Sequence, residues 1–140
     1  MGSSRTQAPN WRLQDTNRNP LSMDDLKDNV VLIDFSANYC VACILSMTAI
    51  DRLREKYKND EVKFITINVA DSRESVLKFI RKYNVKYPIY INGKEVGEKY
   101  NVTGIPVFYL IDKKGNIVTT FDGYSDTIEK DVTERIDSIK

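Results

Sequence analysis

The clearest hydrophobic signal in the chain is the run Val30–Ser36, which is mostly apolar and rich in β-branched residues. Such a run predicts a strand that is buried on both faces, as in parallel sheets. Apolar residues then recur at four-residue steps between Leu45 and Tyr57, which predicts a helix that Asn59-Asp60 ends. Val62–Val69 alternates between apolar and polar residues and predicts a second strand.

The middle of the chain predicts one helix and then a group of short elements. Asp71 with Glu74 resembles a capping box at a helix start, and apolar residues at helical spacing run from Val76 to Tyr83. The short elements that follow are a strand over Pro88–Ile91, a turn at Asn92-Gly93 and a helix over Glu95–Tyr100.

The last third of the chain predicts a β-hairpin and a final helix. Val107–Ile111 and Ile117–Phe121 flank a short turn and form the hairpin, and Asp126–Ile139 is amphipathic. The order strand, helix, strand, helix, strand, strand, helix predicts an α/β fold. In that fold a mixed central sheet carries helices on both faces, and the hairpin makes one edge antiparallel.

Length and charge limit the classes of protein to consider. A chain of 140 residues suggests one domain, which we assign to residues 8–140, while the polar residues 1–7 are typical of a disordered leader or a remnant of cloning. The formal charge is +1, so no basic field exists to bind nucleic acid. No apolar run approaches the roughly 20 residues that span a bilayer, and no signal peptide is visible. The missing signal does not establish a cytosolic location, because an anchor can be cut from a sequence.

The chain contains two cysteines, Cys40 and Cys43, and no histidine. A c-type haem site would need a histidine directly after the second cysteine, and Ile44 stands there. A zinc or iron–sulfur site needs about four ligands, so we expect no metal and no cofactor within one chain. Three alternatives to redox chemistry remain open: a static structural disulfide, an inert pair of core cysteines, and a metal site shared across a dimer.

The placement of the pair favours redox chemistry. The sequence Cys40-Val41-Ala42-Cys43 lies where a predicted strand passes into a predicted helix. The N-terminus of a helix stabilises a thiolate and lowers its pKa below the free value of about 8.5. We therefore expect Cys40 to be the more exposed thiol, which attacks a partner's disulfide. Cys43, one turn inside, should be more buried and should resolve the mixed disulfide.

Asp34 is an anomaly, because a carboxylate stands inside the most apolar strand, six residues before Cys40. Burial should raise its pKa, and a carboxylate near Cys43 could take the proton of that thiol during the resolving step. The alternative is that Asp34 lies at the strand end and faces solvent.

A proline precedes the predicted strand at Val107. A cis bond between Ile105 and Pro106 would free the backbone N–H and C=O of Ile105 to pair with an extended peptide. The alternative is a proline that is merely tolerated at the start of a strand.

Several stretches together carry a resemblance to a known family. They are the strand, aromatic residue and cysteine pair of Val31–Cys43, the proline region Tyr100–Val107 with Leu110–Gly115, the segment Val69–Tyr100, and Ala8-Pro9 with Asp15 and Leu26. On these residues the chain resembles thioredoxin-fold proteins of the TlpA/ResA type over nearly its whole length. The resemblance implies a thioredoxin fold with an inserted α/β segment over Val69–Tyr100 and an N-terminal extension.

The resemblance also implies roles for individual residues. Cys40 would be the nucleophile, Cys43 the resolving thiol, Asp34 the buried acid and Pro106 the cis-proline packed against the disulfide. Tyr39, Ile105 and Pro106 would position the substrate. Tyr39 stands where tryptophan is usual, and the dipeptide between the cysteines, which tunes the redox potential in this fold, differs from the common ones.

The resemblance further implies partners and a location. The expected partners are protein clients with disulfides and an upstream thiol electron donor. The protein itself is expected to be a monomer that needs no cofactor. Many such relatives work outside the cytoplasm, often anchored to a membrane, and some serve cytochrome c maturation. A reductase is the leading interpretation, and a disulfide oxidant or isomerase and a non-enzymatic binding module stay open.

Overall fold

The structure is a computed structural model, and it describes residues 6–140. The strands in this range are β1 (Thr6–Gln7), β2 (Arg12–Gln14), β3 (Pro20–Ser22), β4 (Val30–Ser36), β5 (Val62–Asn68), β6 (Ile89–Tyr90), β7 (Val107–Ile111) and β8 (Asn116–Asp122). The α-helices are α1 (Val41–Lys56), α2 (Arg73–Tyr83), α3 (Lys94–Lys99) and α4 (Ile128–Ile139), and Met23–Leu26 forms a 3-10 turn.

Six strands form one mixed sheet in the order β1-β8-β7-β4-β5-β6. β4, β5 and β6 are parallel to one another, whereas β7, β8 and β1 continue the sheet on the other side of β4 as antiparallel strands. The predicted α/β class and the mixed sheet are confirmed. The antiparallel half is also present, although its outermost strand is β1 and not the hairpin strand β8.

The core lies on both faces of β4, because successive side chains of a strand point to opposite faces. Val30 and Leu32 pack with the buried residues of α1 and α4. Val31 and Ile33 pack on the other face, where Val96 from α3 and Trp11 from the N-terminal segment complete the cluster. Helices therefore cover both faces, as the order of elements predicted.

The N-terminal segment adds two features that the hydrophobic pattern did not predict. β2 and β3 form a small antiparallel hairpin, and Asp15 beside it bridges to Tyr90 at the far edge of the sheet. Of the predicted leader, residues 1–5 lie outside the described residues, whereas Thr6–Gln7 pair with β8.

The strand predictions agree with the structure to within one residue at each end, but one helix detail was wrong. The predicted capping box of Asp71 and Glu74 does not form; Ser72 is the N-cap of α2, and its hydroxyl accepts a hydrogen bond from Ser75 N. Leu45 does not lie on the buried face of α1 and is 55% exposed. Four-residue steps drift by about 40° each on a helix of 3.6 residues per turn, so a row that is buried at its end turns outward at its start.

No helix among residues 6–140 is long and apolar enough to cross a membrane. Within the same range there is also no group of three or more cysteine or carboxylate side chains that could hold a metal ion.

Candidate active site

Cys40 and Cys43 lie at the junction between β4 and α1 and are joined by a disulfide. Cys40 is the N-cap residue of α1, with extended backbone angles, and its Sγ accepts a hydrogen bond from Cys43 N at 3.1 Å. The backbone N–H of Ile44 donates to the carbonyl oxygen of Cys40 at 3.1 Å. The pair therefore sits on the positive end of a sixteen-residue helix, as the sequence predicted.

Exposure does not distinguish the two cysteines in the disulfide form. Cys40 is 8% exposed and Cys43 is 7% exposed, so the expectation of an exposed attacker and a buried resolver is wrong for this state. The reason is that the bond draws both sulfurs together against the first turn of α1. Their surroundings do differ, because Cys43 lines a small cavity and Cys40 is flanked by two exposed residues, Tyr39 and Val41.

That cavity brings together the predicted acid and the predicted resolving thiol. Asp34, Cys43 and Thr66 all line it, and its volume is about 20 Å³, which is room for about one water molecule. Asp34 lies two residues before the end of β4, and its register partner on β5 is Thr66. A carboxyl group and a thiol that face the same small cavity can exchange a proton directly or through water.

The carboxyl group of Asp34 is not solvent-facing. Some of the side chain remains accessible, but Oδ1 is buried and has no hydrogen-bond partner among residues 6–140. Burial raises the pKa of Asp34 from 3.8 to about 7, while the positive charge of Arg54 and a hydrogen bond from Thr66 act in the opposite direction. Asp34 therefore changes its protonation state close to neutral pH, where a proton acceptor is most useful.

Sequence reasoning missed the residues that surround this carboxyl group. The Arg54 guanidinium donates to Thr66 Oγ1 at 3.0 Å and lies 3.5 Å from the ring centroid of Tyr87. Burial raises the pKa of Tyr87 to about 12, so its hydroxyl stays neutral. The available signal was helical spacing: Arg54 follows Cys43 by eleven residues, about three turns, and so lies on the same helix face.

A second network fixes the loop that leads into the cysteine pair. Asn38 N donates to Asp71 Oδ2 at 2.7 Å, and Asn68 Nδ2 donates to the same oxygen at 3.0 Å. The side-chain amide of Asn38 also donates to the carbonyl oxygen of Ser75 in α2. The segment after β5 therefore holds the active-site loop, which explains why Asp71 is not free to cap α2.

Pro106 lies at the same end of the sheet as the cysteines. The Ile105–Pro106 peptide bond is cis. Val107, the first residue of β7, pairs with Phe35 near the end of β4, so the antiparallel register carries Pro106 to the point where β4 leads toward Cys40. Among residues 6–140 neither backbone group of Ile105 has a hydrogen-bond partner. Ile105 and Pro106 line an open cleft of about 430 Å³.

Three exposed apolar side chains surround the start of α1, and we call them the apolar rim. Tyr39 is 72% exposed, Val41 70% and Leu45 55%. Val41 and Leu45 are four residues apart on the helix, so they share one face. Exposed large hydrophobic side chains next to a reactive pair are typical of a surface that contacts another molecule.

The chain is similar to known proteins over nearly its full length. Residues 3–136 match the profile of the family described as Redoxin. Thiol-disulfide oxidoreductase ResA of Bacillus subtilis (strain 168) is 28% identical over 122 residues, which are 86% of this chain and 68% of the relative. The protein of the same name in Bacillus anthracis is 30% identical over 118 residues, 84% of this chain and 68% of the relative.

A solved structure is also similar over nearly the whole chain. A solution structure from Bacteroides thetaiotaomicron, described as a protein disulfide isomerase, has a TM-score of 0.88 and 25% sequence identity. The match covers 99% of this chain and 91% of that chain.

Proposed function

The chain belongs to the Redoxin family and is a thiol–disulfide oxidoreductase of the thioredoxin superfamily, and we propose that it reduces disulfides in protein clients through Cys40 and Cys43. In the first step the thiolate of Cys40 attacks one sulfur of the client disulfide. The client's other sulfur leaves as a thiolate and takes up a proton, and a mixed disulfide joins Cys40 to the client.

The resolving step completes the reduction. Asp34 accepts the proton of the Cys43 thiol, and the Cys43 thiolate attacks the sulfur of Cys40. The client's second sulfur leaves as a thiolate, and the internal disulfide forms. The client gains two electrons from the two enzyme sulfurs. Its second thiolate takes up the proton that Asp34 accepted from Cys43, and its first takes a proton from solvent, which received the proton of Cys40 when that thiolate formed. An upstream thiol donor must return two electrons to the pair before the next cycle, and no cofactor takes part.

One observation carries the proposal: Asp34 and Cys43 line the same small cavity behind the disulfide. A structural disulfide has no use for a buried carboxyl group that titrates near neutral pH, whereas a resolving thiol needs a proton acceptor at that place. The exposed apolar rim and the unpaired backbone of Ile105 support a client that binds as an extended peptide across Cys40, with Tyr39 and Pro106 beside it.

The experiment that tests the proposal has two parts. Reduction of insulin by the protein, with dithiothreitol as donor, should be faster than with dithiothreitol alone and should be lost in Cys40→Ser. The Cys43→Ser variant should accumulate a mixed disulfide with its clients, because that bond can no longer be resolved. Absence of insulin reduction and of trapped clients would favour a binding module without catalysis.

The direction of the reaction is decided by the reduction potential of the pair. A value near about −270 mV is typical of a thioredoxin-like reductant, and a value near about −120 mV belongs to a strong oxidant. The description of the Bacteroides thetaiotaomicron structure as an isomerase makes isomerisation the second candidate. Refolding of a scrambled disulfide-bonded substrate would reveal that activity.

The location and the assembly state belong to the same proposal. We expect a monomer that works outside the cytoplasm, as the resemblance to TlpA/ResA-type proteins implies. A maleimide that cannot cross membranes should label the reduced Cys40 in intact cells. Light scattering of the purified protein should give the mass of one chain.

A further inference from the structure

We propose that Arg54 is a positioning residue for the resolving step: its guanidinium, fixed by Thr66 and Tyr87, supplies the positive charge that keeps the buried carboxyl group of Asp34 available as a base. This inference deepens the proposed function and rests on the role of Asp34 in it. It concerns a residue far along α1 from the cysteines, which neither the cysteine motif nor the proline region points to.

The contacts of Arg54 hold its charge in one place. One terminal nitrogen donates to Thr66 Oγ1 at 3.0 Å, and the other forms an ion pair with Asp51 at 3.1 Å. The planar group also stacks on Tyr87, with 3.5 Å between Cζ and the ring centroid. Its side chain is only 18% exposed. An arginine that only faced solvent would not be held by three contacts, so these contacts fix the position of the Arg54 guanidinium.

Those contacts aim the charge at the cavity of Asp34. Thr66 and Tyr87 both line that cavity, and Thr66 is the register partner of Asp34 across β4 and β5. Arg54 thus bonds to one wall of the cavity and stacks on another. It forms no direct ion pair with Asp34 within the described residues. Its charge therefore stabilises the carboxylate electrostatically, while the carboxylate oxygens stay free to accept a proton.

Arg54 supplies the positive charge that acts on Asp34. Around Asp34, from α1 come Cys43, which lines the cavity, and Arg54, whose charge acts on Asp34 from behind the lining. From β5 comes Thr66, and from the segment before β6 comes Tyr87, which is neutral. From β7 the register partner is Phe108, which is apolar. Asp51 is a negative group nearby, and it touches Arg54 rather than the cavity. Without Arg54, only the hydrogen bond from Thr66 would oppose the effect of burial on the carboxyl group, and the proton would be held to a higher pH.

The charge of Arg54 has a consequence for the rate of resolution at neutral pH. Only the ionised form of Asp34 can accept the proton of Cys43. If the opposing charge is removed, the ionised fraction below the titration midpoint falls by about tenfold for each pH unit that the midpoint rises. We expect Arg54→Gln to raise the midpoint of Asp34 by about one pH unit, the lower end of what a nearby opposite charge supplies.

The test follows the carboxyl carbon of Asp34 by NMR in the disulfide form, where Cys43 does not titrate. The Asp34→Asn variant identifies the resonance by its loss. Arg54→Gln should raise the midpoint by about one pH unit, and Arg54→Lys, which keeps the charge, should raise it by less than half as much. Arg52→Gln is the matched control, because Arg52 lies on the same helix but is exposed and pairs with Glu129. It should leave the midpoint unchanged.

Two results would overturn the inference: a midpoint in Arg54→Gln equal to that of the unaltered protein, or equal shifts in Arg54→Gln and Arg54→Lys. Thermal unfolding of each variant keeps a folding defect from being mistaken for either. The titration is independent of catalysis, so it separates this inference from the proposed function. If Asp34→Asn leaves the rate of resolution unchanged while Arg54→Gln still moves the midpoint, the proposed role of Asp34 fails and the electrostatic role of Arg54 stands.

Discussion

The sulfur of Cys40 accepts a hydrogen bond from the backbone N–H of Cys43 at 3.1 Å, so the first cysteine of the reactive pair is also the N-cap of α1. A helix N-terminus has backbone N–H groups without partners inside the helix and an excess of positive charge. A negative sulfur at position 40 would take the strongest benefit, because it is outside the helix and faces those groups. We therefore expect the asymmetry between the two reduced thiols to come from hydrogen bonding and not from exposure.

The first prediction follows from this asymmetry. In single-cysteine variants at about pH 7, Cys40 (in Cys43→Ser) should react with iodoacetamide about tenfold faster than Cys43 (in Cys40→Ser). A helix end favours an anion by up to about 2 kcal/mol, which is enough for such a ratio. The rate of each variant in denaturant serves as the control, because unfolding should make the two rates equal. Equal rates in the folded proteins would contradict the assignment of attacker and resolver.

The second prediction concerns the pH dependence of resolution. The pKa of Asp34 is raised to about 7, chiefly by burial, so its base form predominates above about pH 7 and is lost as the pH falls. The rate at which Cys43 resolves a mixed disulfide should therefore rise through neutral pH. Asp34→Asn should lose that rise and slow the step by about 10²-fold at pH 8, the lower end for a positioned base. Rapid-quench measurement of a mixed disulfide with a small thiol would give the rate.

The chain has no histidine, so no imidazole can produce a rise near pH 7 in its place. Asp126→Asn removes an exposed carboxylate in the segment that leads into α4 and is the matched control. An unchanged pH profile in Asp34→Asn would exclude this residue as the base.

Much of the fold could be predicted from the sequence because its signals are local. The apolar run at Val30–Ser36 and the hairpin strand Val107–Ile111 were predicted with the observed bounds, since strand burial imprints its pattern directly on neighbouring residues. The cysteine pair at a strand-to-helix junction is local as well. The N-terminal hairpin β2–β3 is a short pairing of few apolar residues, so no hydrophobic periodicity predicts it.

The site could be predicted only as far as its motifs reach. Cys40, Cys43 and Asp34 lie within ten residues of one another in the chain, and their proximity follows from one strand and one turn. Thr66 and Tyr87 come close to Asp34 through the parallel pairing of β4 with β5 and the segment before β6, which pattern alone does not specify. To predict that Arg54 lies near Asp34, one would have to know which face of α1 packs against the sheet.

The third prediction uses Asp34 as a probe of stability. In the folded protein its pKa is about 7, above the ordinary value of 3.8 that applies when the chain is unfolded. Between these two values the folded state holds a proton that the unfolded state has released, so the free energy of unfolding should fall as the pH rises through this window. At about 1.4 kcal/mol per pH unit, the loss approaches about 4 kcal/mol.

Asp34→Asn removes this loss, so the variant should gain stability relative to the unaltered protein between about pH 4 and about pH 8. Urea unfolding with the disulfide intact measures the difference at each pH. A difference that does not change with pH would mean that the carboxyl group is not held in its neutral form by burial.

The fourth prediction concerns the apolar rim. Leu45 is 55% exposed on the same helix face as Val41, so its side chain contributes little to the core and is free to contact a client. Burial of a leucine side chain against a partner is worth about 1.5–3 kcal/mol. Leu45→Ser should therefore lower kcat/KM for insulin by about tenfold. The rate of reduction of a small aromatic disulfide should stay the same, because such a substrate is too small to contact the apolar rim. Thermal unfolding should be almost unchanged.

Tyr124→Ser is the matched control for the rim, because Tyr124 is another exposed large hydrophobic residue and lies in the loop between β8 and α4. If the rim binds clients, only Leu45→Ser should separate the two substrates. Should both variants lower insulin reduction equally, the effect would belong to surface hydrophobicity in general. A loss of activity toward the small disulfide as well would show that Leu45 supports the cysteine pair itself and not the contact with a client.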